Sequence, residues 1–600
     1  MPTCKAEAQK SVARDFHLGT ALRAYEYLGV HREGAHYTFR VWAPRADAVF
    51  LCGDFNGWDP VSLPMERVTE EGVWERRVAR NATIDGSFYK YRVVRGERAF
   101  YKADPYGFSM QRPPDTASIV CSIEGYPWRD AGWLSYRASR FTRERATEQA
   151  INVYEVHLGS WMRNANWESL SYVALARELA PYLKQMGYTH VQIMPICEYP
   201  YDGSWGYQIS GFFAPTARYG APQDLMRFVD AMHEAGIGVL LDWIPAYLPR
   251  DEHGLVAFDG EPLYECAQED CREQGMCWFD GSRPEVRSFL LSNAIYWIEK
   301  FHFDGIHVSA SEAIAQRRDA NGEVESFLGA LNECLCREHP DVMTVSDGAD
   351  GLGFTLAWNR EWAGNALEYV AKDPLWRKFE HGRIADRSPL FCGGRGVLSL
   401  SHNEVVHGRR SLLERMPGVY RQRFSNLRVL MTYQMTFPGK KLTFMGTELG
   451  QICEWDSEGQ VEWLLGEYEL HAQLQAFSAE LGQLYLENSP LWELDSKEGG
   501  FAWIDASDAD RSIYSYRRVD AAGRELLILL NFTPVERTDY ALRVPAKGGY
   551  EEVFCTDWRR FGGSQENERT VFQSETDAQG REAIRISLPP LSARILRGQG

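Results

Sequence analysis

The chain has 600 residues, of which 44% are hydrophobic and 25% are charged, so the sequence predicts a globular protein with three or four domains. Its formal net charge of -18 argues against nucleic acid or an anionic membrane as the main partner and is compatible with a neutral polymer. No N-terminal signal-peptide pattern is present, and Asp242 interrupts the longest apolar run, so we expect a cytoplasmic protein without a membrane span.

The cysteines do not have the spacing of a zinc site. The two groups that stand out are Cys266, Cys271 and Cys277, and then Cys334 and Cys336. Neither group has the short ligand spacing in both halves that structural zinc sites use. Free thiols in a reducing compartment are therefore favoured over a metal site, and we expect neither a metal ion nor an organic cofactor.

Residues 20–125 alternate apolar and polar side chains in short runs separated by Gly, Pro, Asn and Asp, as in Phe39–Asp59 and Phe88–Val94. This period-two pattern predicts an N-terminal β-sandwich. Tryptophan rings inside a sandwich are more often core than binding surface, so a core position is favoured for Trp42, Trp58 and Trp74. Residues 126–148, which are rich in Arg and Trp, are interpreted as a linker.

The pattern changes at about residue 149, where strands begin to alternate with helices. The predicted strands are Ile151–Trp161, Tyr188–Ile196 and Gly236–Pro245, and the predicted helices are Tyr172–Met186 and Pro284–Phe301. Such alternation over residues 149–490 predicts a (β/α)₈ barrel, whose site lies at the carboxyl ends of its strands. Period-two strands return afterwards, so residues 491–600 are predicted to form a C-terminal all-β domain.

The stretch Phe303–Glu312, FDGIHVSASE, predicts another short barrel strand. Side chains alternate along a strand, so His307 and Ser309 share one face while Ile306 and Val308 share the other. The end of this strand belongs to the predicted site face of the barrel. Ser309 and His307 are therefore candidate site residues.

Four long motifs carry a family resemblance. They are SWGYQISGFFAPTARYG (204–220), GLGFTLAWNREW (351–362), SHNEVVHG (401–408) and PGKKLTFMGTELGQICEW (438–455). Together they resemble the 1,4-α-glucan (glycogen) branching enzymes of the α-amylase superfamily, over about residues 20–600. The set Trp42, Phe55, Asn56, Gly57, Trp58 and Trp74 likewise resembles the glucan-binding type of sandwich that precedes the barrel in that family.

The resemblance implies a specific chemistry. In that family a nucleophilic Asp and an acid/base Glu cleave an α-1,4 bond, and the glucosyl-enzyme intermediate is transferred to a sugar 6-hydroxyl. A second Asp stabilises the oxocarbenium-like transition state. The family also implies a structural Asp, a sugar-stacking Tyr and sugar-binding His residues.

Several of these positions are changed in this sequence. Ser309 stands at the nucleophile position and His307 at the position of the Arg that orients it. Asp347, in the motif that ends at Ala349, stands at the general-acid position, and Asn403 stands at the stabiliser position. Tyr247 replaces a sugar-binding His, whereas the retained positions are Tyr207, Asp242 and His402.

These replacements predict an α-glucan-binding pseudoenzyme whose partners are an α-glucan such as glycogen and, as a second candidate, an active glycogen enzyme. The alternative is an active branching enzyme with a rearranged site, in which Glu312 or Tyr247 substitutes for the nucleophile. A hydrolase built on Ser309 and His307 lacks a nucleophile elbow and an orienting acid. A structural subunit without glucan affinity is a further alternative.

Overall fold

The computed structural model describes residues 11–79, 84–267, 275–317, 327–348, 351–385, 391–566, 569–576 and 580–599. Cys271 and Ala349, which belong to motifs considered above, lie outside the described residues. The fold comprises an N-terminal β region, a closed parallel barrel and a C-terminal β domain, as the sequence predicts. Among the described helices, none combines the length and the apolar character needed to cross a bilayer.

The N-terminal region contains two antiparallel sheets. The first joins Gly29–Glu33, His36–Trp42, Val73–Ala79 and Glu66–Arg67, and the second joins Ala48–Gly53, Phe88–Arg95, Arg98–Lys102 and Ser118–Ile119. Trp42 and Trp74 are buried, as predicted. The core prediction for Trp58 is wrong: the side chain is 39% exposed, and its indole nitrogen donates to Asp54 at 2.8 Å.

The barrel is closed by eight parallel strands, numbered here in chain order. Barrel strands 1 to 8 are Asn152–Val156, His190–Ile193, Gly238–Trp243, Gly305–Val308, Met343–Ser346, Leu356–Trp358, Gly396–Leu400 and Lys440–Phe444. Strand 8 pairs with strand 1 and completes the ring. Every residue of these strands is buried, because helices cover the outside and side chains fill the inside.

Helices connect and surround the barrel strands. They are Ala131–Arg140, Leu158–Trp161, Tyr172–Gln185, Pro222–Glu234, Pro284–Phe301, Ser311–Gln316, Phe327–Glu338, Arg360–Ala371, Gly382–Ala385, Leu412–Arg415, Tyr420–Thr436 and Glu469–Glu487. Two short hairpins, Cys197–Glu198 with Gly211–Pro215 and Tyr247–Pro249 with Met276–Trp278, stand at the carboxyl ends of strands 2 and 3. Pro284, which has no N–H to satisfy, begins the helix that delivers the chain to strand 4.

The C-terminal domain packs a six-stranded sheet against a three-stranded one. The larger sheet has the order Phe501–Asp505, Ile513–Val519, Glu525–Asn531, Ser592–Gln599, Gly549–Cys555 and Val571–Gln573; the smaller joins Arg537–Arg543, Glu582–Leu588 and Glu575–Thr576. Buried charges attach this domain to the barrel. Asp495 accepts from Lys440 of strand 8 at 2.9 Å and from Arg518 at 2.5 Å, and all three side chains are fully buried.

The segment 126–148 differs from the linker that its composition suggested. It contains the helix Ala131–Arg140, which packs on the amino end of the barrel. Trp133 and Arg137 donate to the carboxylate of Asp304 at 2.8 and 3.0 Å. His233 lies 2.9 Å from Asp304 and 2.9 Å from Asp130, so the helix is part of a buried charge network that includes strand 4. Asp304, which directly precedes strand 4, is the centre of this network.

This network makes stability depend on pH. Burial alone would lower the pKa of His233, but Asp304 and Asp130 raise it from 6.5 to about 9. The stabilisation by charged His233 is therefore complete below about pH 6.5 and is lost as the pH rises through about 9, a loss of about 3 kcal/mol. We expect the urea midpoint of the wild-type barrel to fall over this range more than that of His233→Gln, which cannot titrate. Parallel pH profiles of the two proteins would contradict this assignment.

Candidate functional site

The carboxylate of Asp242, at the carboxyl end of barrel strand 3, organises the mouth of the barrel. It is fully buried and contacts three side chains. The hydroxyl of Tyr207 donates to Oδ2 at 2.6 Å, Nδ1 of His307 lies 3.1 Å from Oδ1, and the hydroxyl of Ser309 donates to Oδ1. His307 and Ser309, which alternation along strand 4 places on one face, thus meet the same carboxylate.

The electrostatics of this cluster keep Asp242 ionised. Burial alone would raise the pKa of Asp242, but the charge of His307 and the hydrogen bonds from His307, Ser309 and Tyr207 hold it below its ordinary value. A carboxylate of such low basicity does not remove a proton from a serine hydroxyl. The other nitrogen of His307 has no hydrogen-bond partner among the described residues, and its ring stacks on Trp358 at 4.2 Å. Neither neighbour activates Ser309 as a nucleophile.

His402 extends the cluster toward barrel strand 1. Its Nε2 lies 3.4 Å from the Tyr207 hydroxyl, its Nδ1 lies 2.7 Å from Glu155, and its backbone N–H donates to Glu155 at 2.8 Å. Burial opposes a charge on His402, but the Glu155 carboxylate raises its pKa. The next residue, Asn403, is exposed in the turn His402–Glu404, and within the described chain no hydrogen bond joins its side chain to this cluster.

The carboxylate of Asp347, at the position matched to the general acid, accepts hydrogen bonds from the start of a helix. It follows barrel strand 5 and accepts the backbone N–H of Ala310 at 2.9 Å and of Glu312 at 3.2 Å. The hydroxyl of Ser311 also donates to it. These donors begin the helix Ser311–Gln316, so Asp347 satisfies backbone groups that the helix itself leaves unpaired. Through these hydrogen bonds Asp347 holds the loop after Ser309 in place.

The two residues proposed as substitutes for the nucleophile lie outside the Asp242 cluster. Tyr247 is on the short hairpin after strand 3, with its ring edge-on to Trp278 at 5.7 Å. Burial and the carboxylates of Asp242 and Asp347 raise the pKa of Tyr247, which disfavours the phenolate that a nucleophile would need. Glu312 is exposed on the helix after strand 4 and lies 3.9 Å from Arg360.

Sequence reasoning missed Glu155 and the aromatic groups at the rim. Trp205 stacks on His407 at 5.4 Å and packs against Trp455 at 4.8 Å. Glu155 carried a usable signal, since it is the single acidic residue inside the predicted strand Ile151–Trp161. No disulfide joins the described cysteines, which include Cys266 and Cys277. Within the described residues, no cluster of three His, Cys, Asp or Glu side chains is placed to hold a metal ion.

Comparison with known families agrees with the three-part architecture. Residues 27–107 match the family described as "Carbohydrate-binding module 48 (Isoamylase N-terminal domain)", residues 177–253 match "Alpha amylase, catalytic domain", and residues 503–599 match "Alpha amylase, C-terminal all-beta domain". The solved structure of a pullulanase complexed with maltotetraose, from Anoxybacillus sp. LM18-11, superposes with a TM-score of 0.74. It is 16% identical and covers 95% of this chain and 87% of that chain, which shows the fold alone.

The fold and these matches define a three-domain protein of the α-amylase superfamily. Two curated relatives narrow this class: the 1,4-alpha-glucan branching enzyme GlgB of Aquifex aeolicus (strain VF5) is 41% identical and covers 98% of both chains. The enzyme of the same name from Halothermothrix orenii (strain H 168 / OCM 544 / DSM 9562) is 39% identical and covers 96% of both. The chain belongs to the 1,4-alpha-glucan branching enzyme family.

The Asp242 cluster predicts a stability cost for restoring a carboxylate at the nucleophile position. Ser309→Asp places a second buried carboxylate beside Asp242, so we expect a loss of roughly 3 kcal/mol in the unfolding free energy of the barrel. Ser309→Ala, the control, loses one hydrogen bond and about 1 kcal/mol. Urea titrations measure both. Adding His307→Arg to Ser309→Asp should recover part of the loss; equal stability of the Asp and Ala variants would contradict this electrostatic picture.

Proposed function

We propose that this protein is a catalytically inactive, α-glucan-binding member of the branching enzyme family. The observation that carries the proposal is the hydrogen bond from the Ser309 hydroxyl to an ionised Asp242, at the position where the family has its nucleophilic carboxylate. A retaining mechanism needs one carboxylate that attacks the anomeric carbon and a carboxylic acid that protonates the leaving oxygen. Ser309 supplies neither group.

The positions matched to the acid and to the stabiliser support the same conclusion. Asp347 accepts hydrogen bonds from the start of the helix after strand 4, and its shorter side chain replaces a Glu. Asn403 carries no charge to stabilise an oxocarbenium-like transition state. Loss of a covalent nucleophile alone removes roughly 10⁶-fold of kcat in a well-studied protease. The replacement at Ser309 is therefore by itself nearly sufficient to abolish turnover.

Retained groups at the barrel mouth support glucan binding. Tyr207 and His402 are held by Asp242 and Glu155, and the partly exposed ring of Trp205, 6.2 Å from that of His402, adds aromatic surface beside them. Aromatic faces bind the apolar C–H faces of pyranose rings without any bond being cleaved. The relatives are named for action on 1,4-alpha-glucan, and residues 27–107 match a carbohydrate-binding module. An α-glucan such as glycogen is therefore the ligand that we propose.

The purified protein should bind glycogen and leave amylose intact. We expect retarded migration in native gels that contain glycogen, and no change in iodine staining or reducing ends of amylose over hours. Turnover that persists through further purification would reject the inactive assignment, and its loss in Glu312→Gln would assign the rearranged site. If the wild type migrates in glycogen gels as it does in plain gels, glucan binding is wrong and the structural-subunit alternative is favoured.

Repair of the site should need several changes together. Ser309→Asp alone should remain inactive, because the leaving oxygen still has no free acid and the new carboxylate has His307 instead of an Arg to orient it. The combined variant Ser309→Asp, His307→Arg, Asp347→Glu, Asn403→Asp and Tyr247→His is expected to give the first measurable branching of amylose. Branching assays follow a check of folding by circular dichroism. Appreciable activity of Ser309→Asp alone would show that the acid and stabiliser positions are assigned incorrectly.

A further inference from the structure

An exposed apolar cluster lies outside the barrel mouth, after the helix Arg360–Ala371. It consists of Leu375, Trp376 and Phe379, whose exposed fractions are 78%, 62% and 68%, and it is called the 375–379 patch here. Three large apolar side chains exposed within five residues of chain are unusual for a soluble surface and are typical of a binding surface. None of the barrel-mouth residues belongs to this patch.

The patch is held rigidly by the residue in its middle. Arg377 is fully buried, and its guanidinium donates to the backbone oxygens of Val370 at 2.6 Å, Lys372 at 3.1 Å and Phe532 at 2.7 Å. Burial lowers the pKa of Arg377 to about 10, so the group remains charged at neutral pH. Phe532 belongs to the C-terminal domain, so the turn is fastened to both domains. A preordered surface of this kind loses little conformational entropy on binding.

The two rings of the patch are tilted toward each other. Their centroids lie 5.9 Å apart with an angle of 38° between the ring planes. The ammonium group of Lys378 lies 4.9 Å from the Phe379 centroid. Successive pyranose rings of an α-1,4-linked chain are also tilted, because the chain is curved, whereas a β-1,4 chain is nearly flat. The tilt therefore suits a curved glucan better than a flat one.

Four charged side chains beside the patch, two acidic and two basic, are paired with one another. Glu380 lies 2.7 Å from Arg383 and 3.7 Å from Lys372, and Arg383 also bonds Glu368 at 2.6 Å. Paired side chains produce no strong electrostatic field that would attract a polyanion. They still offer hydrogen-bond donors and acceptors beside the aromatic rings. The surface thus matches a neutral ligand that presents both C–H faces and hydroxyl groups.

We propose that the 375–379 patch binds an α-1,4-glucan chain, with Trp376 and Phe379 stacking on two pyranose rings. This inference rests on the glucan-binding function proposed above and adds a second place of contact. A polymer held at one place is presented to the other at a high effective concentration, so two weak contacts give a tight complex. The patch would therefore retain long chains such as glycogen more strongly than short maltooligosaccharides.

The test compares mobility in native gels that contain glycogen. We expect Trp376→Ala with Phe379→Ala to raise the apparent Kd at least about fivefold, which corresponds to about 1 kcal/mol of lost binding free energy. Trp376→Phe, which keeps a planar ring, should bind better than Trp376→Leu, which keeps apolar area without one. Tyr468→Ala is the matched control, because Tyr468 is an aromatic residue with 59% exposure elsewhere in the chain. Its mobility should equal that of the wild type.

The outcomes separate this inference from the proposed function. A wild type that glycogen does not retard overturns both. A wild type and a double variant that are retarded equally overturn the patch alone and leave the proposed function in place. Sedimentation velocity at the same protein concentration should give one oligomeric state for both proteins. A dimer that becomes a monomer in the double variant would instead assign the patch to contact with a second copy and overturn the inference.

Discussion

The buried carboxylate of Asp242 is the interaction on which the barrel mouth depends. A charge at this depth is stable only where donors surround it, and here the donors are Tyr207, His307 and Ser309. His307 and Ser309 are therefore both engaged by this charge, and the hydroxyl of Ser309 is used to satisfy it.

Asp347 is likewise held by structural contacts. In a glycosidase the general acid must be free to exchange its proton with the leaving group. Asp347 instead accepts the backbone N–H groups that begin the helix after Ser309. Its side chain is one methylene shorter than that of Glu, and this length suits a carboxylate that binds nearby backbone N–H groups. Such caps typically contribute about 1 kcal/mol, so selection for stability could preserve this residue without any selection for turnover.

Local pattern was sufficient for most of the elements and for part of the site. The helix Pro284–Phe301 begins at its proline as predicted, and alternation along strand 4 places His307 and Ser309 on one face. The cap at Asp347 could not be predicted, because it joins strand 5 to the loop after strand 4 and depends on how neighbouring strands are arranged. The helix in segment 126–148 was not predicted for a similar reason, since Asp304, which it contacts, lies far away in sequence.

The buried contacts among Lys440, Asp495 and Arg518 have a consequence for how the chain is made. A domain boundary drawn at residue 490 from the sequence pattern would separate the last barrel strand from the carboxylate that neutralises it. On the ribosome, strand 8 is synthesised before Asp495, so a nascent barrel carries a buried lysine with no counter-ion. Barrel closure and the start of the C-terminal domain are thus expected to be one event during translation. A gene that encoded the barrel alone would produce a chain that cannot complete barrel closure in this way.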